Sequence, residues 1–145
     1  MSAQPLLPTR PPRRTFETAE FWDACAAGRL ALPACDACGE FIWYPRLFCP
    51  FCASTAVTYS DVSGAGEVYS FTVMRRGDGR FREFAPYVLA YVRLDEGPTL
   101  LSNLVDIDPE TVAIGMRVAV MFEPAGDDGE GNPTDAIPRF TPVRP

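Results

Sequence analysis

The chain has 145 residues, 47% apolar and 22% charged, with 13 basic against 19 acidic residues and a net charge of −6. This length and apolar content predict one globular domain, with or without a small attached module, and exclude a disordered chain. The acidic balance disfavours nucleic acid as a partner, and no run approaches the roughly 20 apolar residues that span a bilayer.

Residues 1–14 are rich in proline and arginine, with PLLPTRPPRR starting at position 5. The segment has no apolar periodicity, which predicts a flexible, extended arm that orders against a partner. Its arginines follow the short apolar stretch, the reverse of the order in a secretory signal. We therefore expect a cytoplasmic protein.

Residues 15–31 are predicted to contain an N-terminal helix. Thr15 or Thr18 is the candidate N-cap, and Gly28 can adopt the left-handed conformation that ends a helix. One helix face either packs on the rest of the domain or contacts a partner. Its apolar side chains are Phe21, Trp22 and Cys25. Cys25 fits a small buried apolar group better than a nucleophile.

Residues 32–56 contain two Cys-x-x-Cys pairs separated by ten residues. The four cysteines are Cys35, Cys38, Cys49 and Cys52. Two such turns in a short hairpin complete a tetrahedral site of four sulfurs, for which Zn²⁺ is the preferred ion, although a single iron uses the same ligands. Four thiolates leave no open position for water or substrate, so the site is predicted to be structural.

Residues 57–145 contain five to six short strands separated by glycine and proline, with no long helix between them. This pattern predicts a small antiparallel barrel with a C-terminal tail, and DPETVAIG is predicted to form a single helical turn. The chain has no histidine, and no serine or cysteine lies in a recognisable nucleophile motif. These absences favour a non-catalytic role.

The order of these elements resembles the DUF35 family, in which a rubredoxin-like zinc ribbon precedes an OB-fold. The resemblance covers residues 16–140 and rests on segments such as CDACGEFIWYPRLFCPFC, SGAGEVYSFTV and PYVLAYVRLDEGPTLLSNLV. All four family cysteines and the Tyr44-Pro45-Arg46 step are present, whereas Ala53 stands where glycine is more usual. The expected fold is mainly β: an N-terminal helix, the zinc ribbon and a five- to six-stranded OB-fold barrel.

The resemblance implies a non-catalytic accessory subunit of a thiolase-fold enzyme that acts on acyl-CoA thioesters. The partner would be a thiolase or a lipid-transfer-protein-like retro-aldolase, the latter in steroid side-chain degradation. The accessory chain would stabilise it and help to bind or channel the CoA substrate, in a hetero-oligomer with two copies of each chain. Alternatives are a subunit of a MaoC-like enoyl-CoA hydratase and a nucleic-acid-binding module, since zinc ribbons and OB-folds also serve that purpose.

Two groups of residues are candidates for contact with CoA or the partner. The first lies in the ribbon, whose aromatic side chains exceed what a small hairpin can bury. It comprises Trp43, Tyr44, Arg46 and Phe48. The second lies in the loop RRGDGRFREF, which is either a solvated loop or a site for phosphates or carboxylates. It comprises Arg75, Arg76, Arg80, Phe81 and Arg82.

Overall fold

The computed structural model describes residues 6–145 as one helix, a two-stranded ribbon and a five-stranded barrel. The helix and strands are α1 Ala19–Ala26, β1 Ala31–Cys35, β2 Val57–Asp61, β3 Ala65–Met74, β4 Tyr87–Leu94, β5 Thr99–Leu104, β6 Arg117–Ala125 and β7 Asp135–Pro142. Two short 3-10 helices span Gly79–Phe84 and Pro109–Thr111. The second is the single helical turn that DPETVAIG predicted. Within residues 6–145, no helix is long and apolar enough to cross a bilayer.

Strands β3 to β7 close into a barrel in the order β3-β4-β5-β7-β6, and β6 pairs with β3 to complete it. Every pairing is antiparallel except β5 with β7, where Leu104 lies opposite Phe140. Side chains alternate between the two faces of each strand, so every second residue of β4 is buried. The largest barrel residues in the core include Val68, Val88, Val92, Leu94, Val118 and Phe140. The predicted OB-fold is confirmed, with five strands.

Helix α1 packs on the barrel beside β7 and buries Phe21, Ala24 and Cys25. Gly28 ends it with φ of 77°, and the amide of Arg29 donates to the carbonyl of Ala24 over 2.9 Å. The two candidate caps bond each other, because the amide of Thr15 donates to Oγ1 of Thr18 over 3.0 Å. The burial of Phe21 and Cys25 shows that the apolar face of the helix packs on the domain, which is the first of the two predicted alternatives.

Strands β1 and β2 pair antiparallel, from Ala31 opposite Asp61 to Cys35 opposite Val57. Residues 57–61, the first strand of the segment predicted to form the OB-fold domain, pair with the cysteine segment, a partner that local strand propensity does not specify. The hydroxyl of Tyr59 on β2 also donates to the carbonyl of Glu17 over 2.7 Å, which ties the ribbon to the start of the helix.

The N-terminal arm, defined as residues 6–14, lies along the barrel. Arg139 of β7 donates to the carbonyls of Leu7 and Pro8, over 3.1 and 2.8 Å. Arg14 pairs with Asp135 over 2.6 Å. The reason lies in side chains of β7, far away in sequence, which no local pattern of the arm reveals. The part of the arm prediction that covers residues 1–5 lies outside the described residues.

Candidate functional site

The four predicted metal ligands converge. Their sulfur atoms all lie within 4.8 Å of one another. Sγ of Cys35 is 3.5 Å from Sγ of Cys52, and Sγ of Cys38 is 3.7 Å from Sγ of Cys49. A tetrahedral ion with metal–sulfur bonds near 2.3 Å requires sulfur–sulfur distances of about 3.8 Å. The arrangement therefore fits a tetrahedral metal, and all four cysteines are free of disulfides.

The two Cys-x-x-Cys turns share one backbone geometry. In the first, the amide of Gly39 donates to the carbonyl of Cys35 over 2.8 Å, and in the second the amide of Ala53 donates to Cys49 over 2.8 Å. The residue after each pair is left-handed, with φ of 79° at Gly39 and 64° at Ala53. The alanine that departs from the family pattern thus adopts a conformation that favours glycine.

The surroundings of the sulfurs shift their pKa values in different directions. At Cys38 and Cys52, bonds from the backbone amides of Glu40 and Ser54 lower the pKa, but desolvation and hydrogen bonds with the neighbouring thiols outweigh them and raise it, whereas at Cys35 the pKa falls. The backbone amide of Cys38 is the main cause that lowers the pKa of Cys35 to about 7. The amide of Phe51 also donates to Sγ of Cys49 over 3.4 Å. Cys35 and Cys49 are buried against Ile42, which forms a small apolar core of the ribbon. Amide donors and four soft ligands suit Zn²⁺ in a closed structural site.

Cys25 takes no part in this cluster. It is fully buried in the core between α1 and the barrel, and burial raises the pKa of its thiol to about 12. A thiol of this kind stays protonated and inaccessible near neutral pH. This agrees with the prediction of a small buried apolar group.

The loop between the two cysteine pairs and the second pair itself expose large apolar side chains. We define the ribbon loop surface as Tyr44, Leu47, Phe48 and Phe51, which are 59%, 52%, 48% and 67% exposed. Trp43 instead turns inward, with its ring centroid 5.3 Å from that of Phe21. Arg46 is exposed in the same loop and makes no ion pair with any residue from 6 to 145.

A cavity of about 370 Å³ adjoins the ribbon loop surface. Its walls come from α1, the ribbon loop, β5 and β7. They include Trp22, Trp43, Tyr44, Pro45, Leu101 and Phe140. The sequence identifies Trp43 and Tyr44 as candidates but does not reveal the cavity, because its walls come from four segments that only the fold brings together.

The second predicted group lies on and beside the 3-10 helix Gly79–Phe84 and is divided by its contacts. Arg75 forms an ion pair of 2.5 Å with Glu110, and Arg80 donates to the carbonyl of Thr9 over 3.2 Å. The guanidinium of Arg75 also lowers the pKa of Glu110. Arg76 and Arg82 are exposed and unpaired among the described residues, while the ring of Phe81 lies 5.2 Å from that of Tyr87. Contact of either group with CoA or a partner stays a prediction.

The comparison with known families decides the identity of this architecture. The description "ChsH2, rubredoxin-like zinc ribbon domain" matches residues 22–58, and "ChsH2, C-terminal OB-fold domain" matches residues 59–123. A DUF35 domain-containing scaffold protein of Methanocaldococcus jannaschii is 34% identical over 110 residues, which cover 75% of this chain and 78% of that protein. The chain belongs to the DUF35 family. The four-cysteine cluster is accordingly the metal site of a zinc ribbon.

Two further relatives of this DUF35 protein occur in enzyme complexes. The solved "Ltp2-ChsH2(DUF35) aldolase" aligns with a TM-score of 0.79 and 32% identity, covering 90% of this chain and 98% of that chain. A "probable enoyl-CoA hydratase alpha subunit" of Thermomonospora curvata is 36% identical over 126 residues, which cover 86% of this chain. The DUF35 chain spans only 37% of that hydratase subunit.

Proposed function

We propose that this DUF35 protein is a non-catalytic, cytoplasmic accessory subunit of a thiolase-fold enzyme that acts on acyl-CoA thioesters. The partner is a thiolase or a lipid-transfer-protein-like retro-aldolase, with steroid side chains as candidate acyl groups. The subunit stabilises this partner and helps to bind or channel its CoA substrate, in a complex with two copies of each chain. The observation that carries the proposal is the ribbon loop surface beside a closed metal centre.

The ribbon loop surface has the composition of a protein interface. Clustered exposed apolar side chains are unusual on a monomer, and aromatic side chains dominate the binding energy of interfaces. The loop is held rigid at both ends by the cysteine turns, so its ordering costs little on binding. Arg46 lies in the same loop without an ion pair among the described residues, so a partner that covers it must supply a carboxylate.

The remaining groups support an accessory role. Four zinc ligands close the shell, and the chain has no histidine. Two carboxylates at the ends of strands are engaged in ion pairs. Asp61 pairs with Arg29 over 2.6 Å and Asp95 with Arg117 over 2.7 Å. The guanidinium of Arg117 lowers the pKa of Asp95, which makes this carboxyl a poor general acid.

A MaoC-like enoyl-CoA hydratase is the second candidate partner, because a hydratase alpha subunit contains a segment similar to most of this chain. Both candidates are acyl-CoA enzymes, so the proposed accessory role is the same. A nucleic-acid partner is not supported by a chain with a net charge of −6.

Binding measurements with the partner test the docking surface. Tyr44→Ala and Phe48→Ala should each weaken the complex at least about tenfold, as expected for interface anchors. Tyr69→Ala is the matched control, since Tyr69 is 51% exposed on β3, outside the ribbon. Equal affinities for all three variants would refute docking through the ribbon loop, and an intact metal content would show that the variants still fold.

A further inference from the structure

Arginines from three separate segments line a cavity of about 410 Å³ on the opposite strand face from the core residue Phe140. Arg10 comes from the arm, Arg80 from the 3-10 helix and Arg139 from β7. We propose that this cavity binds the phosphate group of a small phosphorylated molecule, through Arg10 and Arg80.

These two arginines have free donors. Arg10 is exposed and makes no hydrogen bond or ion pair with residues 6–145, and Arg80 uses only Nη2, toward the carbonyl of Thr9. Arg139 is committed to Glu123 and to the arm carbonyls, so it forms the wall. Two free guanidinium groups give this cavity a strong preference for an anion, although the protein as a whole is acidic.

One acid belongs to the same cavity and cancels only part of this charge. Asp78 lines it, but its Oδ1 accepts the amide of Gly79 over 2.8 Å and so caps the 3-10 helix. Two arginines therefore face one carboxylate that is already hydrogen-bonded. A phosphate can accept bonds from both guanidinium groups at once, since each presents planar paired donors.

The cavity favours a small molecule over a polymer. Its basic residues form one compact pocket instead of the long track that a nucleic-acid backbone requires. The half-buried ring of Phe81 supplies an apolar wall for the organic part of a ligand. Phosphate groups of this class occur both in the nucleotide part of CoA and in free phosphorylated metabolites.

The arm is a structural component of the site. Its position is set by the bonds from Arg139 to the carbonyls of Leu7 and Pro8. These bonds involve only the backbone of the arm, so they do not depend on the side chain at position 10. Arg10→Gln should therefore remove one anion ligand without releasing the arm. Arg13 on the same arm and Arg82 on the same 3-10 helix are absent from the cavity lining, which makes them matched controls.

Calorimetric titration of the zinc-loaded chain with pyrophosphate tests the proposal. We expect saturable binding that weakens roughly tenfold in Arg10→Gln and in Arg80→Gln, as for lost charge-assisted hydrogen bonds. Arg13→Gln and Arg82→Gln remove the same charge nearby and should change affinity less than about twofold. Non-saturable binding, or equal losses in all four variants, would overturn the site.

A second titration identifies the source of the phosphate. If CoA displaces pyrophosphate and binds more tightly, the site holds the nucleotide part of the thioester; if CoA does not compete, it holds a free phosphorylated metabolite. Either result agrees with a phosphate site in this cavity. No partner enzyme takes part, so a negative titration would leave the proposed docking of a partner intact.

Discussion

Arg139 on β7 pairs with Glu123 on β6, and both side chains are only 3% exposed. Both residues lie on the strand face opposite the core, where a charged pair would normally be hydrated. The arm explains their burial, because Leu7 is itself buried and its carbonyl accepts from Arg139. Two atoms of the pair, Oε1 of Glu123 and Nε of Arg139, have no hydrogen-bond partner among the described residues. A buried pair of this kind is costly to break, since one remaining charge would be left without compensation.

Glu123→Ala should therefore lower the free energy of unfolding by about 3–5 kcal/mol. Urea denaturation measures this loss. Glu67→Ala is the matched control, because Glu67 forms an exposed pair with Arg93 at 3.8 Å. A loss no larger for Glu123→Ala than for this control would show that the buried pair is not important for stability.

Removal of a metal ligand should unfold the ribbon. Cys35→Ser is expected to reduce bound zinc from about one ion per chain to near zero and to lower the free energy of unfolding by several kcal/mol. Metal analysis and thermal denaturation measure the two effects. Cys25→Ala should keep its zinc, since Cys25 lies in the other core. A Cys35→Ser chain with a full complement of zinc and an unchanged midpoint would refute the structural site.

Ala53→Gly should stabilise the protein by about 0.5–1 kcal/mol, because glycine adopts a positive φ without the steric cost that alanine meets. The opposite sign is expected for Ala37→Gly, since Ala37 in the first turn has an ordinary negative φ and glycine there only gains freedom in the unfolded chain. Chemical denaturation of the zinc-loaded variants compares the two. A stability change of the same sign in both variants would contradict the positive φ assigned to Ala53.

Cys25 should make stability fall at alkaline pH. Burial raises the pKa of this thiol from 9.0 to about 12, so the folded chain holds the proton more tightly than the unfolded chain. Its contribution is complete below pH 9 and is lost as the pH rises from 9 toward 12. The difference in unfolding free energy between the wild type and Cys25→Ala should therefore shrink over this range. A constant difference would contradict the buried thiol.

Local sequence signals predicted the parts of this fold that depend on local chemistry. The spacing of Cys35, Cys38, Cys49 and Cys52 identified the metal site, and Gly28 marked the end of the helix. The docked arm could not be predicted, because it depends on Arg139, more than a hundred residues away. The ion pair between Arg75 and Glu110 could not be predicted for the same reason. Both cavities described above also combine segments distant in the chain, so their walls became visible only in three dimensions.

Turnover of an acyl-CoA thioester by the candidate partner enzyme tests the accessory role most directly. Assays of the partner alone, this chain alone and the reconstituted complex separate the contributions, with Tyr44→Ala as the docking-deficient control. We predict no turnover by this chain alone, full activity and solubility of the partner only in the complex, and a decrease of both with Tyr44→Ala. Turnover by this chain alone, or a partner that is fully active and stable without it, would refute the accessory role.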